Sequence, residues 1–173
     1  MRDELPPRTD VGAILEILKR HDVDFMLVGG LAGMAHGSSY PTYDVDIAYE
    51  RSPRNLECLA EALLEMEATL RGAPADLPFI CDAETLRRGL NFTFQTKHGP
   101  FDVIGELRGV GPYARVARAA VRTRIEGVQI DVISLDHLIA MKSAAGRDKD
   151  KLMVSEYIAI ADERKRLAEE DQN

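Results

Sequence analysis

The 173-residue chain has no tryptophan, only 2 cysteines and no long apolar run. A helix needs about 20 successive apolar residues to span a bilayer, so we expect no membrane segment. Residues 1–7 are charged and proline-rich, unlike the apolar core of a secretion signal, which predicts a cytoplasmic protein. Cys58 and Cys81 lack the paired spacing of metal-binding cysteines, and we expect both to be reduced thiols.

The net charge of −7 is spread unevenly along the chain. Residues 1–96 hold 9 basic and 16 acidic side chains, whereas residues 97–151 hold 10 and 7. Within the second block, no acid interrupts a series of five arginines: Arg108, Arg115, Arg118, Arg122 and Arg124. Such a series either covers a solvated helix face or forms a local phosphate-binding surface on an otherwise acidic protein, and the sequence leaves both interpretations open.

Helical and strand patterns alternate along the chain. Apolar spacing predicts helices at 11–21, 31–36, 135–145 and from 148 onward, and a helical turn at 83–89. Asp10 is the predicted cap of the first helix, and another helix begins at Ser52-Pro53. Apolar or alternating runs predict strands at 25–28 and 43–49, and hairpins at 90–104 and 121–133. These patterns predict an α/β (α+β) fold with a central mixed sheet flanked by helices. We expect one domain spanning 1–173, with a core of about 11–134 and C-terminal helices of about 135–168.

Asp44 and Asp46 are candidate metal ligands. Side chains two residues apart on a strand point to the same face, so the two carboxylates project together. Burying two like charges is costly, and a divalent cation with oxygen ligands relieves that cost. An Asp-x-Asp pair also occurs at exposed strand ends, where water solvates both acids.

Two other features strengthen the metal-site interpretation. Gly29-Gly30 follows an apolar strand, and glycines there let backbone N–H groups approach a phosphate. Taken alone, the two glycines are better explained by a simple tight turn. Asp102 is a lone acid in an apolar strand, where an unpaired carboxylate is costly unless it meets a cation. If that strand lies beside the first aspartate pair, three carboxylates converge. Asp131 is the alternative third acid, and we favour Asp102.

Three segments together resemble the signature of the DNA polymerase β-like nucleotidyltransferase superfamily: Leu27-Val28-Gly29-Gly30-Leu31-Ala32, His36-Gly37 and Thr42-Tyr43-Asp44-Val45-Asp46-Ile47. The segment from Ser134 to Asp150 resembles a region of one bacterial branch, which includes the abortive-infection, type IV toxin-antitoxin nucleotidyltransferase toxins. The likeness runs from about residue 12 to residue 160. Tyr40 is a departure, because many relatives carry a phosphate-binding arginine at that position.

The resemblance implies a nucleotidyltransferase fold and transfer of a nucleoside monophosphate from a nucleoside triphosphate, with Mg²⁺ or Mn²⁺. It assigns the metals to Asp44, Asp46 and Asp102, with Asp102 also serving as the base for the acceptor hydroxyl. Contacts to the nucleotide would come from Gly29, Gly30, Thr42, Lys142 and Arg147. In this set Lys142 neutralises phosphate charge, while Arg147 and Asp150 order the adjoining helix.

The same resemblance suggests an acceptor. Some toxins of this branch add nucleotides to the 3′ end of tRNA, and the five arginines would neutralise its phosphates. A cognate antitoxin would then be a protein partner. Transfer to an aminoglycoside-type small molecule or a protein hydroxyl is the alternative, with acidic residues in 57–84 available to a polycation. A catalytically silent binding domain is a third hypothesis, although unused buried acids would destabilise it.

Overall fold

A computed structural model of the chain describes residues 8–74 and 76–171. Its helices are α1 (Val11–Arg20), α2 (Gly29–Ala35), α3 (Pro53–Glu65), α4 (Ala83–Arg88), α5 (Tyr113–Ala117), α6 (Leu135–Ala145) and α7 (Asp148–Glu170). Its strands are β1 (Phe25–Val28), β2 (Val45–Tyr49), β3 (Thr69–Leu70), β4 (Asn91–Thr96), β5 (Gly99–Ile104), β6 (Val121–Ile125) and β7 (Val128–Val132). Residues 1–7, on which the localisation prediction partly rests, lie outside the described residues.

The strands form one mixed sheet in the order β3-β4-β5-β2-β1-β7-β6. The hairpins β4–β5 and β6–β7 are antiparallel, as is β1 with β2, whereas β2–β5 and β1–β7 are parallel. Helices flank this sheet, so the predicted fold class is confirmed. Two elements were not predicted, the two-residue β3 and the five-residue α5.

Side-chain caps fix the beginnings of α1 and α3. The Asp10 carboxylate accepts the Ala13 N–H at 3.0 Å, and the Ser52 hydroxyl accepts the Asn55 N–H at 3.3 Å ahead of Pro53. Each cap satisfies an amide that has no partner within its helix. In α2 the helix begins at Gly29 itself, two residues before the predicted start. The turn and the helix are therefore one continuous feature.

The two faces of the central strands differ in chemistry. Leu27, Ile47 and Val103 are register partners across β1, β2 and β5, and all three are fully buried. The next row is Val28, Asp46 and Asp102, which must point to the opposite face because side chains alternate along a strand. One face is thus hydrophobic throughout this row, while the other combines the buried Val28 with two carboxylates. Within residues 8–74 and 76–171, no helix has both the length and the apolar character that crossing a bilayer demands.

Candidate active site

The sheet brings three aspartates together. Asp46 on β2 is the direct register partner of Asp102 on β5, and Asp44 immediately precedes β2. Adjacent strands lie about 4.8 Å apart, so these side chains leave the same sheet face as close neighbours. The carboxylates meet because β5 returns parallel to β2 although it lies far along the chain.

Asp131 lies elsewhere. It is on β7, which β1 separates from β2, and its carboxylate binds the Arg122 guanidinium on β6 at 2.7 Å. A carboxylate held in that ion pair, two strands from Asp46, is not part of the aspartate cluster. Of the two alternatives for a third acid, the fold places only Asp102 beside the pair.

Arg71 is a cluster residue that the sequence analysis missed. Its Nη2 group donates to both oxygens of Asp102, at 2.8 and 3.0 Å, and its Nη1 group donates to Asp44 at 3.4 Å. The short strand β3 pairs with β4, and the Arg71 N–H donates to the Thr93 carbonyl at 2.9 Å just beyond that pairing. Thr93 is in turn the register partner of Asp102, so strand pairing directs Arg71 to the cluster.

Burial and crowding make the cluster electrostatically unfavourable. Burial, then the Asp102 and Asp44 charges, raise the pKa of Asp46 to about 7, although Lys142 and Arg71 act in the opposite direction. Burial also raises the pKa of Asp102, despite the Arg71 guanidinium beside it. Asp46 therefore resists ionisation near neutral pH. Additional positive charge at the cluster would relieve this cost.

The turn after β1 approaches the cluster closely. Gly29 has a φ of +67°, and a Cβ atom there would collide with the Asp46 carboxylate. A Cβ atom at Gly30 would lie 2.8 Å from the Thr42 Cβ, which is too short for a normal contact. Both glycines are thus required for the backbone to lie against Asp46 and Thr42.

Lys142 is held in position by a buried acid. Asp150, at the start of α7, has a side chain only 1% exposed and binds Lys142 of α6 at 3.3 Å and Arg147 at 2.7 Å. Burial by itself would raise the pKa of Asp150, but hydrogen bonds and charges from Arg147 and Lys142 lower it below its usual value. This ion-pair network joins α6 to α7 and orients the Lys142 side chain.

Two adjoining cavities meet at the cluster and share Asp46, Ile104, Lys142 and Arg147. The larger, of about 660 Å³, is also lined by the other predicted site residues Gly30, Thr42, Asp44 and Asp102. The smaller, of about 370 Å³, is lined by Gly29, by Arg108 and by apolar side chains that include Leu138 and Met141. All the predicted catalytic and nucleotide-binding residues therefore line one two-part cleft.

The five arginines do not form one surface at this cleft. Arg108 lines the smaller cavity and pairs with Glu106 at 3.3 Å. The others lie on or next to α5 and on the edge strand β6, which is three strands from β2: Arg115, Arg118, Arg122 and Arg124. Three strand spacings correspond to roughly 14 Å. Of these five arginines, only Arg108 lines a cavity that Asp46 also lines.

No family model and no curated protein sequence matches this chain. Its fold is similar to that of the lincosamide antibiotic adenylyltransferase LnuA in its lincomycin-bound form, with 14% identity, a TM-score of 0.57, and coverage of 86% of this chain and 94% of that chain. The antibiotic-resistance factor ANT(2'')-Ia is 13% identical, with a TM-score of 0.51 and coverage of 94% of this chain and 93% of that chain. An antigenic nucleotidyltransferase-like protein from Paracoccidioides brasiliensis is 16% identical, with a TM-score of 0.50 and coverage of 87% of this chain and 72% of that chain.

The fold is therefore the one found in nucleotidyltransferases. At these identities the likeness establishes architecture, while activity must be argued from the site. Among the residues that the structure describes, no three His, Cys, Asp or Glu side chains form a ready-made metal site. In the aspartate cluster, the Arg71 guanidinium lies against two of the three carboxylates.

Proposed function

We propose that the protein transfers a nucleoside monophosphate from a nucleoside triphosphate to an acceptor hydroxyl, using a divalent cation. The observation that carries this proposal is the pairing of Asp46 with Asp102 across parallel strands, with Asp44 beside them, in a cleft that also contains Lys142. Carboxylates gathered beside a fixed cation suit a substrate that carries both metal and phosphate.

The donor set fits Mg²⁺ or Mn²⁺, because all three side chains offer carboxylate oxygens, which such hard ions prefer. The raised pKa of Asp46 supports this fit, because added positive charge would stabilise the ionised carboxylate. Asp44, Asp46 and Asp102 would hold the ion. When bound, it supplies Lewis-acid stabilisation of the charge that develops on the phosphates.

The chain's own groups account for the other requirements of the reaction. The backbone at Gly29 and Gly30 lines the cleft beside Thr42, where its N–H groups would approach phosphate oxygens, and the fixed Lys142 ammonium offsets their charge. Asp102 accepts the proton of the acceptor hydroxyl. The acceptor oxygen then forms a bond to the α-phosphorus as the bond from that phosphorus to the bridging oxygen breaks, and pyrophosphate leaves with that electron pair.

Two acceptors suit the cleft, and each is supported by its own observation. The 3′ end of an RNA such as tRNA would meet Arg108 at the smaller cavity and extend toward the arginines near α5 and β6. A role as a toxin with a cognate antitoxin would belong with this acceptor. A small molecule would instead fit within the cavity of about 370 Å³, whose apolar lining includes Leu138 and Met141. The antibiotic-modifying enzyme LnuA has a similar fold.

The test is incubation of the purified protein with each labelled nucleoside triphosphate and Mg²⁺ or Mn²⁺. Total RNA, a panel of aminoglycosides and lincosamides, or a protein extract is supplied as acceptor in parallel reactions. We expect label on one class of acceptor and none with Asp46→Asn. Asp131→Asn is the matched control, because it removes an aspartate of the same sheet outside the cluster.

The outcomes separate the hypotheses. Label on RNA that decreases when Arg115, Arg118 and Arg124 are all replaced by alanine supports the RNA acceptor. Label on a small molecule, or on a protein, that is insensitive to those changes supports that alternative class of acceptor. No label in any reaction, combined with no binding of nucleoside triphosphate, would show that the domain is catalytically silent and would refute the proposal.

A further inference from the structure

We propose that Arg71 occupies the cation position of the metal-free cluster and exchanges with the incoming metal, moving from the carboxylates to the phosphates of the nucleotide. The inference rests on the proposed function and assigns to it a residue that the sequence analysis did not single out. Its basis is the contact of one guanidinium with both Asp44 and Asp102.

The contact geometry shows why Arg71 and a metal ion would compete. The guanidinium donates hydrogen bonds to both Asp102 oxygens and to one Asp44 oxygen. These are the same atoms that would coordinate a metal ion. Asp102 is the less exposed of the two carboxylates, with 18% of its side chain accessible against 42% for Asp44. A divalent ion that enters beside Asp102 would meet the positive charge of Arg71 at contact distance, so both cannot hold these oxygens together.

The two cations of the site are held in different ways. Lys142 is 15% exposed and is anchored by Asp150, an acid outside the aspartate cluster. Arg71 is 34% exposed, and its guanidinium is bonded, among the residues that the structure describes, to the cluster carboxylates themselves. Once the metal takes those carboxylates, nothing in these contacts keeps Arg71 in place. Lys142 is thus the permanent cation and Arg71 the movable one.

The position of Arg71 in the chain suits such movement. Its backbone is fixed by the N–H donated to Thr93, so the start of the side chain stays at the sheet edge. Gly72 follows with a φ of +77° and open space around it. About a third of the Arg71 side chain is open to solvent, so the guanidinium has room to move at this edge. A released guanidinium at this edge would lie next to Thr93 and Asp102, which line the larger cavity. Its planar fork matches the oxygens of a phosphate that would bind there.

The experiment compares wild-type protein with Arg71→Ala by calorimetric titration of Mn²⁺ alone, then of a non-hydrolysable nucleoside triphosphate analogue at saturating Mn²⁺. We expect Arg71→Ala to bind Mn²⁺ about tenfold more tightly, a difference of about 1.4 kcal/mol, because the guanidinium no longer competes for the carboxylate oxygens. We expect the same variant to bind the analogue about tenfold more weakly. A purely structural role for Arg71 would not make the variant bind Mn²⁺ more tightly and the analogue more weakly.

Arg122→Ala is the matched control, since it removes another arginine–aspartate pair of the sheet outside the cleft, and it should change neither affinity. Arg71→Lys keeps the charge but loses the planar guanidinium, so its two affinities should lie between those of the wild type and Arg71→Ala. It replaces Arg71→Ala in the experiment if the alanine variant does not fold. Unchanged or weaker Mn²⁺ binding by a folded Arg71 variant, while the wild type binds Mn²⁺ and transfers nucleotide, would overturn the exchange and leave the proposed function intact. Absence of Mn²⁺ and nucleotide binding by the wild type would overturn both.

Discussion

Replacing Asp46 by asparagine should stabilise the metal-free protein at neutral and alkaline pH. The side chain keeps its shape and loses the charge that burial and two neighbouring acids oppose. The pKa of Asp46 rises from 3.8 to about 7 in the folded chain. One pKa unit corresponds to about 1.4 kcal/mol, so the ionised carboxylate destabilises the fold by up to about 4 kcal/mol.

The direction of the pH dependence follows from the raised pKa. Below about pH 4 the acid is protonated in both folded and unfolded states, and it costs nothing. Between pH 4 and 7 the unfolded chain ionises while the folded chain resists, so stability falls, and the full penalty is present above about pH 7. The gain from Asp46→Asn should therefore be largest near pH 8 and disappear near pH 4.

The assay is urea denaturation of wild type and Asp46→Asn in a metal chelator, at intervals from pH 4 to pH 8. Asp131→Asn serves as the control, because Asp131 pairs with Arg122 instead of facing other acids, and it should give no gain at any pH. Parallel pH profiles for wild type and Asp46→Asn would refute the electrostatic account of the cluster. The same variant should lose nucleotidyl transfer, which separates stability from function.

Three other predictions concern the surroundings of the cluster. Gly29→Ala should abolish Mn²⁺ binding in a calorimetric titration, because its Cβ would displace the Asp46 carboxylate, whereas Gly146→Ala, with the same φ of +67° and open space, should cost only about 1 kcal/mol of stability and leave binding unchanged. Asp150→Asn should lower the free energy of unfolding by about 3 kcal/mol in urea, because it leaves two cations without their buried partner, and unchanged stability would contradict that role. Asp102→Asn should eliminate transfer of label while Asp131→Asn retains it, and equal loss in both would contradict the assignment of the third acid.

Local signals explain why much of the fold could be predicted. The run Phe25–Val28 is apolar throughout because both faces of β1 are buried, and its bounds were predicted correctly. Asp10 and Ser52 could be predicted as helix caps because their side chains accept hydrogen bonds from amides that have no partner within the helix. The strand predicted at 43–49 instead begins at Val45, which leaves Asp44 on the segment entering the sheet.

Long-range pairing explains what could not be predicted. The strand β3 has two residues, too few to show any periodicity, and only its pairing with β4 brings Arg71 to the cluster. The charge pattern likewise indicated a basic block but not where its arginines lie in the fold. The helix α5 was not predicted, and the sheet order places β6 away from β2. The sequence predicted which acids would meet, yet it carried no sign of the arginine between them.

Because β2 pairs with β5 in parallel, cation binding at the aspartates depends on the sheet being folded. Asp46 and Asp102 are far apart in the chain and become neighbours only when the sheet closes, so the unfolded polypeptide offers no comparable chelator. An ion that binds these carboxylates therefore favours the native state by mass action, by about 2.7 kcal/mol at a hundred times its dissociation constant. Much of the instability that the acids introduce would be offset in this way, and the melting temperature would rise with the concentration of divalent ion.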